Sequence, residues 1–301
     1  MSATSRAFMA IFTLSAPLAH GVADHPPFSM LDGLLGYAVA QETFGPRAFT
    51  RRPHSHTYID LPLPLDQVLP GVHAASQGFA PIARGGISVL VSPYDRSGID
   101  QFSEYSKKND CWQATQVTAR HNNAVIPITT LTSPYFVFFG RGDMSEVERL
   151  LRTHIRFLGH KRGAGFGHVV DLKVLPAPVD WSWSRWDAEG VHFHRALPRD
   201  AQGVQAAIEA QWGPEAATWW QDHEAEAAVT QLAISPPYHD PNRQQWCYEP
   251  DQYGLSEASA FLSSWPGYAP WKISEDVDDD ELDDDLLDFD DLPDMILEEV
   301  L

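Results

Sequence analysis

The chain has 301 residues, of which 44% are hydrophobic, and a formal net charge of −20 at pH 7. This length and apolar content allow one large domain or two small ones with an ample core. No apolar run is long enough to span a bilayer, and two cysteines are too few for a disulfide framework. We therefore expect a cytoplasmic protein without a membrane partner. The alternative is secretion, because the apolar run at 7–14 has the character of a weak signal peptide.

The first 175 residues alternate strand and helix patterns, which predicts two halves that each combine strands with a helix. Ser29, followed three residues later by Asp32, is a variant of the capping box that begins a helix. Residues 43–84 are rich in proline and irregular, and residues 95–134 suit an inserted hairpin or thumb. In chain order, the predicted elements are a strand at 7–15, a helix at 30–42, strands at 86–91 and 135–139, a helix at 143–158 and a strand at 166–175.

A glycine-rich stretch between the last predicted helix and the last predicted strand carries the strongest functional signal. It runs Gly-His-Lys-Arg-Gly-Ala-Gly-Phe-Gly from 159 to 167. Successive N–H groups in such a turn form a concavity for an anion, and basic side chains add full charges. We expect a phosphodiester backbone as the anion, whereas a flexible, solvated connection is the alternative. The predicted RNA-binding residues of this loop are Gly159, His160, Lys161, Arg162, Gly163, Gly165, Phe166 and Gly167.

Charge is distributed unevenly along the chain. Residues 1–175 hold 16 basic and 13 acidic side chains, whereas residues 275–301 hold 15 acidic and no basic ones. The first part of the chain is therefore mildly basic despite the strongly negative total. Within it, Arg47, Arg51 and Arg52 stand in a segment without acidic residues, which predicts an arm that contacts phosphates. An exposed loop with ordinary solvated charges is the alternative.

Several motifs resemble those of known RNA-binding families. The glycine-rich loop, together with Phe138-Phe139-Gly140-Arg141-Gly142-Asp143, resembles the RAMP proteins of CRISPR systems. More closely, the chain resembles the subunit of type IV CRISPR effector complexes that caps the 5′ handle of the guide RNA. The supporting landmarks are Leu31-Asp32-Gly33-Leu34-Leu35, Val179-Asp180-Trp181-Ser182 and Pro236-Pro237-Tyr238.

This resemblance implies both a fold and a function. The implied fold is α/β (α+β), ferredoxin-like as in RAMP and RRM proteins, with insertions. The implied function is that of a non-catalytic RNA-binding subunit of a ribonucleoprotein in antiviral defence, with no cofactor. Guide RNA (crRNA) and the other subunits of the complex are the implied partners. Whether the subunit also contacts target DNA within the complex stays open.

Other chemistries remain as alternatives. His160 and His168 flank the glycine-rich loop, and a histidine there could act as a general acid or base in an endoribonuclease that processes repeat RNA. The pair His192 and His194 has the spacing of two metal ligands on an extended chain, as does the His-x-His pair at 54–56. We find no nearby acidic residue or cysteine that would complete either pair, and therefore predict no metal site.

Three parts are predicted along the chain. An RNA-binding domain at 1–175 contains an insertion at 43–134, and a Trp-rich extension with helices follows at 176–274. Its tryptophans are predicted as core or interface anchors, with stacking on RNA bases as the alternative. The acidic tail at 275–301 is predicted to be disordered. Its apolar residues leave open a helix that docks on a partner, or a mimic of nucleic acid, so a protein-interaction module is a third hypothesis.

Overall fold

The structure of the protein is a computed structural model. It describes residues 5–19, 30–45, 61–80, 84–92, 103–106, 111–114, 124–133, 135–199, 203–236, 238 and 243–251.

Four α-helices and fifteen strands lie within these residues. The helices are α1 (Leu31–Phe44), α2 (Met144–His154), α3 (Val204–Trp212) and α4 (Pro214–His223). The strands are β1 (Arg6–Leu14), β2 (Leu18–Ala19), β3 (Gln67–Leu69), β4 (Val72–His73), β5 (Arg84–Ser92), β6 (Ser103–Ser106), β7 (Cys111–Ala114), β8 (Ala124–Thr132), β9 (Tyr135–Gly142), β10 (Val169–Pro176), β11 (Ser184–Asp187), β12 (Gly190–Phe193), β13 (Leu197–Pro198), β14 (Val229–Ala233) and β15 (Gln244–Tyr248).

The central sheet is antiparallel, with strand order β10–β1–β9. A fourth member lies beyond β9, because residues 74–79 form isolated antiparallel bridges with that strand. The Ser76 N–H donates to the Phe139 carbonyl at 2.9 Å, and the Phe79 N–H donates to the Val137 carbonyl at 2.8 Å. In chain order the four strands are β1, residues 74–79, β9 and β10, with α1 after the first and α2 after the third. Across the sheet their order is β10, β1, β9 and residues 74–79, which is fourth, first, third and second in chain order. This is the ferredoxin-like arrangement, so the predicted fold class is confirmed.

Strand β1 is buried on both of its faces. Phe8 and Phe12 point into the core formed with α1 and α2, whereas Met9 and Ile11 point to the opposite face and pack with Phe79. A strand covered on both sides has apolar residues at consecutive positions rather than at alternate ones. This burial explains the continuous apolar run that predicted the strand.

Helix α1 confirms a predicted element but not its predicted cap. Its N-cap is Met30, which makes no side-chain hydrogen bond to the helix, and Ser29 lies outside the described residues. Asp32 is fully buried, and its carboxylate accepts hydrogen bonds from Arg195 at 3.2 Å and from Tyr238 at 2.5 Å. The capping-box prediction was therefore wrong, because Asp32 is directed at a buried arginine rather than at the start of its own helix.

Helix α2 is shorter than its apolar periodicity predicted. Asp143 caps its N-terminus, accepting hydrogen bonds from the N–H groups of Ser145 and Glu146 at 3.1 Å each. The helix ends at His154, whereas the prediction extended to residue 158. Ile155 and Leu158 are buried in the same core but belong to the loop that follows.

The strand predicted at 86–91 belongs to a second sheet, of order β2–β8–β5. Strands β5 and β8 pair antiparallel over nine residues each, and the hairpin β6–β7 lies between them in the chain. This arrangement is an extended inserted hairpin.

The segment after β10 forms a second core cluster, together with Leu69 and Val72 of β3 and β4. Trp183 and Trp220 are buried there with Phe193 and Tyr248, and Trp219 is partly buried against them. These tryptophans are core residues, which confirms the preferred interpretation of the cluster. The segment also contains strands β11–β15, so it is less helical than predicted.

Candidate nucleic-acid interface

The glycine-rich loop connects α2 to β10 and has a defined backbone conformation. A single 3₁₀ turn, Arg162–Ala164, forms its tip. Lys161 precedes this turn with φ of 53°, and within the described residues it is the one non-glycine residue with positive φ. The Gly165 N–H donates to the Arg162 carbonyl at 3.0 Å and closes the turn. A left-handed residue followed by a right-handed turn directs successive N–H groups to one side, which suits an anion.

The base of the loop is fixed to residues 17–19, which follow β1. The His160 N–H donates to the Ala19 carbonyl at 2.9 Å, and the Gly167 N–H donates to the Pro17 carbonyl at 2.8 Å. A Cβ atom on Gly159 would lie 2.7 Å from the Ala19 oxygen, and one on Gly167 would lie 2.1 Å from the Leu158 oxygen. These two glycines are therefore required by the close approach of other backbone segments.

The tip of the loop is open. A Cβ atom on Gly163 or Gly165 would meet nothing within 4 Å, and residues 161–165 are all exposed. Among the described residues, the N–H groups of Arg162 and Gly163 have no hydrogen-bond acceptor. The loop therefore combines a rigid base with an exposed tip whose amides are available to a ligand.

Most cations of α2 are already paired with carboxylates. Arg149 contacts Glu42 of α1 at 2.6 Å and Glu146 at 2.7 Å, while Arg152 contacts Glu148 at 2.8 Å. The hydrogen bonds from Arg149 and His154 lower the pKa of Glu42 to about 2. These helix cations are thus neutralised by neighbouring carboxylates.

The cations of the loop differ from those of the helix. Among the described residues, Arg156 and Lys161 have no carboxylate partner, and Arg162 lies over the ring of Tyr37 with its Cζ atom 5.4 Å from the centroid. Uncompensated positive charge is therefore concentrated between the end of α2 and the tip of the loop. Sequence analysis did not select Arg156, because the apolar periodicity placed it among the helix cations.

The remaining predicted residues have different environments. His160 is exposed, whereas Phe166 is half-buried. His168 Nδ1 lies 2.8 Å from Ser15 Oγ, and its ring packs 5.2 Å from that of Phe157. The predicted arm with Arg47, Arg51 and Arg52 lies outside the described residues, as do the histidines at 54 and 56 and the tail at 275–301.

The sheet face opposite the helices is covered by aromatic side chains of this chain. Phe139 packs against Trp181 with ring centroids 5.7 Å apart, and Phe79 lies 5.7 Å from Phe139. RRM proteins stack RNA bases on aromatic residues of such a face. Here Phe79, Phe139 and Trp181 occupy that face, so the glycine-rich loop is the candidate interface among the described residues.

The sequence landmarks contact one another in two pairs. Arg141 donates to Asp180 at 2.7 Å and to Asp66 at 3.0 Å. A Cβ atom on Gly33 would lie 3.3 Å from the ring of Tyr238. The motif before α2 is thus tied to the segment after β10, and the start of α1 packs against the landmark at 236–238.

The histidines after β11 have separate environments. His194 is fully buried, and its Nδ1 atom donates to the Trp181 carbonyl at 2.8 Å. Burial lowers the pKa of His194 to about 3, so the ring is neutral. His192 instead lies between Asp187 and Asp251. The two histidines do not form the metal pair that their spacing would allow.

Comparisons with known proteins give little similarity. No protein-family model matches the chain, and no curated protein matches it. Among solved structures, it is similar to a chain in the cryo-EM structure of the type III-B Cmr-beta complex bound to cognate target RNA, with 9% identity and a TM-score of 0.32. The match covers 57% of this chain and 61% of that chain, which is less than two thirds of the neighbour's length. No described helix is both long and apolar enough to cross a membrane.

Proposed function

We propose that this protein is a non-catalytic RNA-binding subunit of a CRISPR ribonucleoprotein in the cytoplasm, and that its glycine-rich loop binds the phosphodiester backbone of the guide RNA. The observation that carries the proposal is the distribution of positive charge. The cations of α2 are paired with carboxylates, whereas those of the loop are exposed without a carboxylate partner in the described residues. Phosphate contacts of this kind position an RNA without selecting its sequence.

We further propose that the complex is of type IV and that the bound segment is the 5′ handle. This finer assignment is supported by the sequence landmarks and by their packing against one another, through Arg141 with Asp180 and through Gly33 with Tyr238. We propose the division into 1–175, 176–274 and 275–301 on the same basis.

The test compares two double variants that each remove two positive charges. Lys161→Ala with Arg162→Ala should weaken binding of repeat-derived RNA and make the dependence of log K on log salt shallower by about 1.4, because each lost phosphate contact on a single strand contributes about 0.7. Arg149→Ala with Arg152→Ala is the matched control. It should change the slope less, because these side chains are held by Glu42, Glu146 and Glu148.

The results that contradict the proposal are well defined. Equal effects of the two double variants would remove the loop from the interface and leave only a general charge effect. Absence of RNA binding by the unaltered protein at low salt would favour the protein-interaction hypothesis. A defined cut in the repeat RNA would contradict the non-catalytic role and favour the endoribonuclease alternative. Circular dichroism of each variant confirms that the fold is retained.

A further inference from the structure

The hairpin β11–β12 places three side chains with metal-binding atoms together. They are Asp187, Glu189 and His192, and one ligand atom from each lies within 4.8 Å of the others. Asp187 pairs with Gly190 across the hairpin, so two residues form the turn. The Glu189 N–H donates to Asp187 Oδ1 at 2.9 Å, which fixes the aspartate at the start of the turn. The cluster is therefore built by the hairpin rather than by chance proximity on the surface.

The ring of His192 is oriented by carboxylates on both sides. Its Nδ1 atom lies 2.9 Å from Asp251 Oδ2, and its Nε2 atom lies 3.2 Å from Asp187 Oδ1. A histidine that binds a metal through one nitrogen commonly donates the other N–H to a carboxylate. Asp251 occupies the place of that carboxylate, and Nε2 is the nitrogen directed at the cluster.

The spacing of one pair of ligand atoms, on His192 and Asp187, fits a tetrahedral ion. Zinc–nitrogen and zinc–oxygen bonds of about 2.0 Å at tetrahedral angles separate two ligand atoms by about 3.3 Å. The distance from Nε2 to Asp187 Oδ1 is 3.2 Å. A metal ion can therefore replace the proton between these two atoms with little movement of either.

The charge of the cluster also favours a divalent cation. Asp187, Glu189 and Asp251 contribute three negative charges, and Arg185, with its Nη1 atom 2.7 Å from Asp187 Oδ2, contributes one positive charge. With a neutral imidazole, the cluster carries two negative charges. The Glu189 side chain is exposed and makes no hydrogen bond or ion pair with the part of the chain that is described, so it can turn toward an ion.

We propose that Asp187, Glu189 and His192 bind a divalent transition-metal ion, with Zn²⁺ as the ion of best fit. Imidazole and carboxylate ligands in this number suit zinc with a water molecule in the fourth position. Asp251 is a positioning residue that orients His192. The sequence-based prediction of no metal site paired His192 with His194 and did not include Asp187 and Glu189 of the same hairpin.

The experiment uses the full chain after dialysis against a chelator. Zn²⁺ is titrated by calorimetry in excess Mg²⁺, which occupies weak carboxylate sites elsewhere in this acidic protein. We expect a single Zn²⁺ per chain and a higher unfolding midpoint in its presence. Glu189→Gln and His192→Gln should each weaken Zn²⁺ binding at least about tenfold, and Asp251→Asn should weaken it by about 10- to 100-fold, as for other carboxylates behind a ligand histidine.

A matched control is available elsewhere in the chain. His154 Nε2 lies 3.0 Å from a carboxylate oxygen of Glu42, which makes another imidazole–carboxylate pair. Among the described residues, this pair does not belong to a group of three potential metal ligands. His154→Gln should leave Zn²⁺ affinity unchanged. Equal Zn²⁺ affinity of the unaltered protein and Glu189→Gln would overturn the proposal, as would the absence of a single saturable site. Glu189→Gln removes no side-chain hydrogen bond or ion pair among the described residues, so loss of folding does not obscure this result.

Discussion

The four glycines at positions 159, 163, 165 and 167 of the loop divide into two kinds. Gly159 and Gly167 lie against backbone oxygens, whereas Gly163 and Gly165 are at an open tip. The sequence predicted that glycines would shape this loop, and it also selected Lys161 and Arg162. It could not separate the two kinds of glycine, because the oxygens concerned belong to Ala19 and Leu158 and come close only in the folded chain.

A pair of glycine variants tests this division. Gly167→Ala should lower the free energy of unfolding by at least about 1–2 kcal/mol, because a side chain at positive φ is strained and its Cβ would also collide with the Leu158 oxygen. Gly163→Ala should change it by less than about 0.5 kcal/mol, as for most surface substitutions. Urea unfolding of both variants provides the measurement. Similar stabilities of the two variants would contradict the close approach of the Leu158 oxygen to Gly167.

At the scale of elements, the helices and strands that the sequence predicted correctly are those with continuous or periodic apolar residues. Strands β1 and β9 and helices α1 and α2 were predicted near their observed positions, although α2 ends earlier than predicted, because each has continuous or periodic buried apolar residues. Residues 74–79, the fourth member of the sheet, have the sequence Ala-Ala-Ser-Gln-Gly-Phe and no such pattern. Gly78 lies against Phe138, where a Cβ atom would be 2.9 Å from the ring. Backbone hydrogen bonds and small residues place this segment, and neither gives a periodic signal.

Helix α2 depends on Asp143, which a substitution can test directly. Asp143→Ala removes the acceptor for the N–H groups of Ser145 and Glu146 and should cost about 0.5–2 kcal/mol of stability. Asp143→Asn retains an oxygen acceptor and should cost much less. Both are measured by chemical unfolding with circular dichroism as the signal. If Asn and Ala were equally destabilising, the charge rather than the hydrogen bonds of Asp143 would be responsible.

At the scale of the whole molecule, one buried arginine joins the extension to the first part of the chain. Arg195 is 1% exposed and donates to Asp32 of α1, to the Ala75 carbonyl at 3.3 Å and to the Ile234 carbonyl at 2.5 Å. It also donates to the His73 carbonyl. These partners come from widely separated parts of the chain, which is why no local sequence pattern could have predicted the network.

Replacing this arginine should strongly lower the free energy of unfolding. Arg195→Met leaves Asp32 buried without its counter-charge and should cost about 3–5 kcal/mol. Arg199→Met, at an exposed arginine four residues away, is the control and should have little effect. Adding Asp32→Asn to Arg195→Met should recover part of the loss, since the remaining buried charge is then removed. A double variant as unstable as the sum of the two single variants would show that the charges are not coupled.

The covered sheet face has a consequence for the orientation of a bound strand of nucleic acid. An RNA bound across an exposed sheet turns its bases inward, where they are held by aromatic rings. Here Phe79 and Trp181 cover that face of the sheet, so an RNA bound at the loop would be contacted through its phosphates. Under the proposed function, the bases of the bound segment would then face away from the sheet rather than stack on it. A surface that contacts only phosphates can bind RNA segments of different base sequence.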